Sequence, residues 1–381
     1  PERRGAELAI SAQLAQQRAH ESLASWQALA ALGLDEEKCF QSARRILAAL
    51  RQAKDGDRAR ALLDECARRF QAPERRTALE LEGLYLALDQ RDLPGAARAL
   101  ERAKKSGGDP APILAAAFHL GDAELAAGDS RAAEAHFQDA TRAPHARSDD
   151  ALYKLAFALL ARGEIDGARR ALAKFQAECK DSELAPEAGF LAGECDWRAG
   201  DVAGAAKKLA AVLPLAQGEL RSRVLFRAGV AAGTLESWSE CEAALSELAR
   251  DFPEFPNLAE GELWRGRALL EQKKPRPARA AFERTLALDQ GELAAGARLG
   301  LGRLLAGEGK LDDALSEYLK VALLYAHEES VSEALYRAGE TLEALEDPAK
   351  AAARYREVLA EHARSPFAER ARERLRVLEG R

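Results

Sequence analysis

The chain has 381 residues, 47% of them hydrophobic and 31% charged, with a net charge of −6 and an isoelectric point near 5.8. Such a composition fits an ordered polypeptide, and its acidic balance excludes a global drive toward nucleic acid or an anionic membrane. No apolar run approaches the ~20 residues that a bilayer-spanning helix needs.

Methionine is absent, even from position 1, so Pro1-Glu2-Arg3-Arg4 reads as a processed or truncated start, which leaves a preceding signal peptide or lipoprotein cysteine open. Residues 1–40 read as one or two amphipathic helices, with Leu8, Leu14, Leu23, Trp26 and Leu29 as core candidates. No a/d heptad persists through Ala6–Leu32, so a cap over the apolar end of the adjoining segment is favoured over a coiled-coil oligomerisation helix.

From residue 41 the chain repeats. Nine small residues are each followed four positions later by a large apolar one: Ala59/Leu63, Ala96/Leu100, Ala133/Phe137, Ala168/Leu172, Ala205/Leu209, Cys241/Leu245, Ala278/Phe282, Ala314/Tyr318 and Ala351/Tyr355. The small residues lie 35 to 37 apart, and in the last seven units a second one stands 12 positions upstream, at Gly121, Ala156, Gly193, Gly229, Gly266, Gly302 and Gly339. A fixed period of this length marks one supersecondary unit stacked many times.

Each unit reads as two helices and a turn. In 150–179 the first helix carries Leu152, Leu155, Ala156, Leu159 and Leu160, and Gly163-Glu164 breaks it. The second helix runs through Ile165, Ala168, Leu172 and Phe175. The same turn recurs at Gly128-Asp129, Gly200-Asp201 and Lys310-Leu311-Asp312, pairing a residue tolerant of left-handed backbone with an acid at the positive start of the next helix. Two helices joined so tightly must cross closely, which places the small residues of both at the crossing. The first two units carry Leu47 and Leu84 in place of the glycine, leaving their frames open.

Chemistry-bearing motifs are not found. Gly307-Glu308-Gly309-Lys310 fails as a phosphate loop, because Leu304 stands where its first glycine belongs, Leu311 replaces the Ser/Thr, and no strand precedes it. The six histidines form no H-x-x-x-H pair, and His119 and His136 have no ligand cluster around them. There is no Gly-x-Ser-x-Gly elbow. Five cysteines make no closed set; Cys241 sits at the small crossing position as a compact apolar residue, and Cys179 and Cys195 straddle one linker as a candidate disulfide. No catalytic residue, cofactor or metal ion is expected. The arginine-rich end from Arg364 reads as a solvated helix face with Glu369, Glu373 and Glu379 interspersed, and 376–381 as a short tail.

Glycine at the eighth position of the first helix, alanine at the twentieth and a large apolar residue at the twenty-fourth resemble the tetratricopeptide repeat. The match covers 41–375 and is nearest in Leu335-Tyr336-Arg337-Ala338-Gly339, followed by Asp347-Pro348-Ala349-Lys350-Ala351 and Tyr355. The resemblance implies an all-α, right-handed α-solenoid of about nine helix-turn-helix repeats with an N-terminal helical cap. Linkers such as Lys180–Pro186, Asp251–Pro256 and His362–Ala368 are similar to those in repeats of bacterial cell-envelope proteins, which implies a periplasmic or envelope-associated place, with the cytoplasm as the alternative.

In that family the first helices line a concave face. Three residues before the first-helix small position stand Phe118, Tyr153, Phe190, Phe226, Leu263, Leu299 and Tyr336, and one residue after it stand Asp122, Phe157, Glu194, Val230, Arg267, Arg303 and Glu340. The lysines and asparagines of a carboxylate clamp are missing from these positions. Packing against the neighbouring unit is the plainer reading of the aromatic stripe, while Phe157 and Trp197 beside it favour an open groove. The expected function is a non-enzymatic adaptor that binds a protein or peptide partner, not nucleic acid, in that groove within an envelope complex. The alternatives are a rod that self-associates through its ends or N-terminal helices, and the repeat segment of a larger enzyme.

Overall fold

A computed structural model describes residues 9, 10, 13, 19–31, 35–143, 145 and 147–380. Among the described residues the regular structure is helical, with no strand. Nine antiparallel pairs follow one another as repeats 1 to 9. The first helices are Glu36–Gln52, Pro73–Asp89, Pro110–Ala126, Ser148–Ala161, Ala185–Arg198, Gly218–Thr234, Leu258–Glu271, Glu292–Gly307 and Glu328–Ala344. Their partners are Gly56–Arg69, Leu93–Lys105, Ser130–Ala140, Ile165–Glu178, Val202–Val212, Trp238–Asp251, Pro275–Leu288, Leu311–Leu324 and Pro348–Glu361. Helix Ala19–Ala31 precedes repeat 1, and Ala368–Leu378 follows repeat 9. The chain divides into two compact units at Leu191/Ala192, inside the first helix of repeat 5.

The turn within each repeat is more regular than the sequence suggests. A residue with φ between 57° and 87° stands five positions before every second-helix small residue: Lys54, Arg91, Gly128, Gly163, Gly200, Glu236, Lys273, Gly309 and Glu346. The next N–H reaches back to the carbonyl five residues earlier, as in Asp55 to Leu50 and Ser237 to Ala232, which closes a Schellman turn. In repeat 8 the left-handed residue is Gly309, one position before the expected Lys310. The acid that comes next then caps the second helix: Asp55, Asp92, Asp129, Asp201 and Asp347 accept from the third N–H of the helix they precede.

All nine small residues of the second helices, Ala59 through Ala351, are fully buried. The first-helix glycines meet the large residue four positions further on rather than that small one. A Cβ on Gly229 would lie 2.5 Å from Leu245, on Gly266 2.6 Å from Phe282, and on Gly339 2.5 Å from Tyr355. The crossing is therefore a glycine receiving a ring or a leucine, with alanine filling the space beside it. Leu47 and Leu84 occupy the same place in repeats 1 and 2, 2% and 0% exposed, which settles the frame of those repeats.

In the first unit, Trp26 is buried and donates Nε1–H to the Cys39 carbonyl at 2.8 Å, while Leu23 packs at the margin of the same core. Leu8 and Leu14 lie outside the described residues, as does the side chain of Leu29. In the second unit the closing helix packs Leu375 and Leu378 on the core of repeat 9, and Arg374 clamps Glu343, which also accepts from Tyr355 at 2.5 Å.

Candidate partner-binding face

At about 100° per residue, a position three before the crossing residue lies only about 60° round the helix from it. Positions six before, two before and one after lie about 100–160° round, on one common stripe. Burial follows this geometry. Phe118, Phe190, Phe226, Leu263, Leu299 and Tyr336 are 1% to 7% exposed, so these members of the expected groove are core residues; only Tyr153 among them is half-buried. Phe118 packs on Phe137 with centroids 6.0 Å apart, Phe226 on Phe255 at 5.3 Å, and Tyr336 on Tyr355 at 5.7 Å.

The residues one after the crossing divide. Phe157 is 44% exposed, Arg303 is exposed, and Asp122, Arg267 and Glu340 are half-buried, whereas Glu194 and Val230 are buried. Trp197 is half-buried, with the Arg227 guanidinium 4.9 Å from its ring. The sequence reading missed the residues two before the crossing: Glu82, His119, Lys154, Arg227, Trp264 and Arg337. Their signal was the 4-then-3 spacing that puts them on the stripe with the positions six before and one after.

Within each unit these residues link one first helix to the next. Lys154 pairs with Asp122, His119 stacks edge-on against Tyr85 at 5.8 Å, and Arg227 donates to Glu194 at 2.6 Å. In each case the residue two before the crossing meets the residue one after it in the preceding repeat. Burial and then Arg147 push His119 below its ordinary value. His136 instead meets Glu124 at 2.6 Å, so the two histidines belong to different contacts. Two pockets open on the stripe. In the first unit about 360 Å³ is lined by Arg44, Ala78, Glu82 and Tyr85; in the second about 260 Å³ is lined by Glu260, Trp264, Arg267, Gly296, His327 and Glu333.

Among the described residues no three His, Cys, Asp or Glu side chains come together as a metal site. The five cysteines are thiols, Cys179 half-buried and Cys195 buried, so the candidate disulfide is not formed. Cys241 is fully buried, and its burial, the larger cause, and then Glu242 push its thiol up to about 12. Such a thiol is an inert packing group.

Sequence models of the tetratricopeptide repeat match residues 118–183, 263–330 and 333–365. The chain is a tetratricopeptide-repeat protein. Among solved structures, the C-terminal part of a repeat protein of this kind from Cytophaga hutchinsonii is similar at 14% identity, covering 67% of this chain and 98% of that one with a TM-score of 0.50. A tetratricopeptide-repeat protein from Parabacteroides merdae is similar at 17% identity, covering 69% and 98% with a TM-score of 0.42. No curated protein matches the chain. The tetratricopeptide fold is that of protein–protein interaction scaffolds, and no described helix is long and apolar enough to cross a membrane.

Proposed function

We propose that the chain is a non-catalytic scaffold that holds a protein partner on the exposed stripe of its first helices, within an envelope-associated complex. The observation that carries this reading is the stripe itself. Phe157, Tyr85, Trp264, Arg267 and Arg303 stay at least partly exposed there, whereas Leu81, Leu263 and Leu299, three before the crossing on the same helices, are buried. Aromatic and arginine side chains concentrate binding energy at interfaces. The envelope placement rests on the linkers; fractionation of the native host tests it, and recovery of the protein from the cytoplasm alone removes it. For the scaffold, a photo-reactive benzoylphenylalanine at Arg303 or Phe157 is expected to cross-link to partner protein in the native host. The same probe at Glu283 or Asp312, exposed on second helices, should stay uncoupled. Equal labelling from both sets sinks the scaffold face.

A second reading, self-association, is supported by Leu288, Leu323 and Leu324, which stand 50%, 81% and 67% exposed at the ends of consecutive second helices. Light scattering over a dilution series tests it: a mass that never changes removes the reading.

A further inference from the structure

The linkage between first helices has a gap in repeat 8. The residue two before its crossing is Gly300 and the residue six before is Gly296, so nothing extends toward Arg267 of repeat 7. Where Arg227 finds Glu194, Arg267 finds no acidic partner: among the described residues no carboxylate lies within 4 Å of its guanidinium, which rests 5.1 Å from the Trp264 ring centroid. A Cβ on Gly296 would sit 3.5 Å from Nη2 of Arg267 and 3.1 Å from Leu263, so the missing side chain leaves the hollow beside the guanidinium open. Burial, the largest cause, holds Arg267 below its ordinary value, with Glu333 and Glu260 opposing the shift and Arg303 adding to it.

Around this hollow the charge is negative. Glu260, Glu292, Glu329 and Glu333 line it, and among the described residues only Glu292 and Glu333 of these have a basic neighbour within 4 Å, His327 at 3.1 Å and Arg337 at 3.6 Å. The wider region agrees: from Glu236 to Glu361, 25 acidic side chains outnumber 16 basic ones. A pocket near 260 Å³ falls below the roughly 300–1,000 Å³ of small-molecule sites and suits one side chain of a partner.

We propose that this pocket, on the scaffold face described above, takes a lysine- or arginine-bearing extended segment of a partner protein. A backbone carbonyl of the segment accepts from Arg267, and its cationic side chain lies among Glu260, Glu329 and Glu333. A neutral acceptor suits Arg267 because a second anion would meet four carboxylates, whereas a hydrogen bond to a charged donor is among the stronger kind. The cation then supplies the complementary charge and the steering.

The test uses the full chain and three labelled peptides, acetyl-(Ala-Lys)₆, acetyl-(Ala-Gln)₆ and acetyl-(Ala-Glu)₆, titrated by fluorescence anisotropy at low salt. The lysine peptide is expected to bind about tenfold more tightly than the glutamine peptide, and the glutamate peptide most weakly. E260Q/E333Q should remove that preference, while E283Q/E361Q, exposed acids away from the pocket, should keep it. R267Q should weaken the lysine peptide, since the carbonyl loses its donor; tighter binding by R267Q would mean that Arg267 only repels. That result, equal binding of all three peptides, a preference for glutamate, or an unaltered E260Q/E333Q variant each overturns the proposal. Persistent cross-links at Arg303 and Phe157 with no peptide preference would remove the basic partner alone, and loss of both would remove the scaffold face as well.

Discussion

Repeats 1 and 2 solve the helix crossing differently from repeat 8. In the early repeats the first helix contributes Leu47 or Leu84 and the second a leucine, Leu63 or Leu100. In repeat 8 the first helix contributes Gly302, the second Tyr318, and the ring occupies the space that a glycine Cβ would take. Repeats 1 and 2 share the volume of the crossing between both helices, whereas repeat 8 places it on the second helix alone. Close packing makes either solution sensitive to change, because an interior at crystal-like density tolerates neither a cavity nor added bulk.

The largest expected effect comes from removing volume where it lies on the first helix. Leu84→Ala should cost about 2–5 kcal/mol, since Leu84 is fully buried and the second helix offers Leu100 rather than a ring at the crossing. Chemical denaturation followed by circular dichroism measures it, and a loss below about 1 kcal/mol would show the crossing to be loosely packed. Adding volume where glycine stands should cost less, about 1–3 kcal/mol for Gly302→Ala. Tyr318→Leu, in the same chain, should recover part of that loss, and strict additivity of the two would mean that they do not share the space.

The turns divide in a parallel way. Gly128, Gly163, Gly200 and Gly309 adopt left-handed backbone freely, whereas Lys54, Arg91, Glu236, Lys273 and Glu346 hold the same conformation with a side chain. Glu236→Gly is therefore expected to be neutral or stabilising by up to about 1 kcal/mol, and Gly200→Ala destabilising by about 1 kcal/mol. A stabilising Gly200→Ala would contradict the turn geometry.

The smallest effect concerns the closing helix. Burial alone would raise the Glu343 carboxyl, but hydrogen bonds from Arg374 and Tyr355 outweigh it and hold the group below its usual value of 4.5. The folded state then binds fewer protons than the unfolded one, so the clamp's contribution is complete above about pH 4.5 and disappears as pH falls through the lowered value. Hydrogen-exchange protection of 368–378, taken relative to the intrinsic rate at each pH, should fall toward acid pH in the wild type, and E343Q should flatten that dependence.

The period, the helix pairing and the small crossing residues were legible because each is a local pattern repeated in phase. Gly163 and Gly200 announced their turns through composition. Glu236 and Lys273 did not, since nothing in a glutamate or lysine signals left-handed backbone; the crossing residue five positions further on implies it only once the repeat is phased. The candidate face was legible only in part. Reading Phe118, Phe190, Phe226 and Tyr336 as groove residues carried the family's concave face over position by position, yet a position three before the crossing turns only about 60° from it and stays in the core.

Sequence alone determined the all-helical repeat, its frame from repeat 3 onward and the absence of recognisable catalytic motifs, because spacing along one chain encodes which faces must meet. Tertiary structure alone decided which aromatics are buried, how Leu47 and Leu84 replace glycine, and that Arg267 faces a gap beside Gly296. Those outcomes depend on side chains far apart in sequence, in neighbouring helices or neighbouring repeats, and only the packing of one helix on the next brings them within reach.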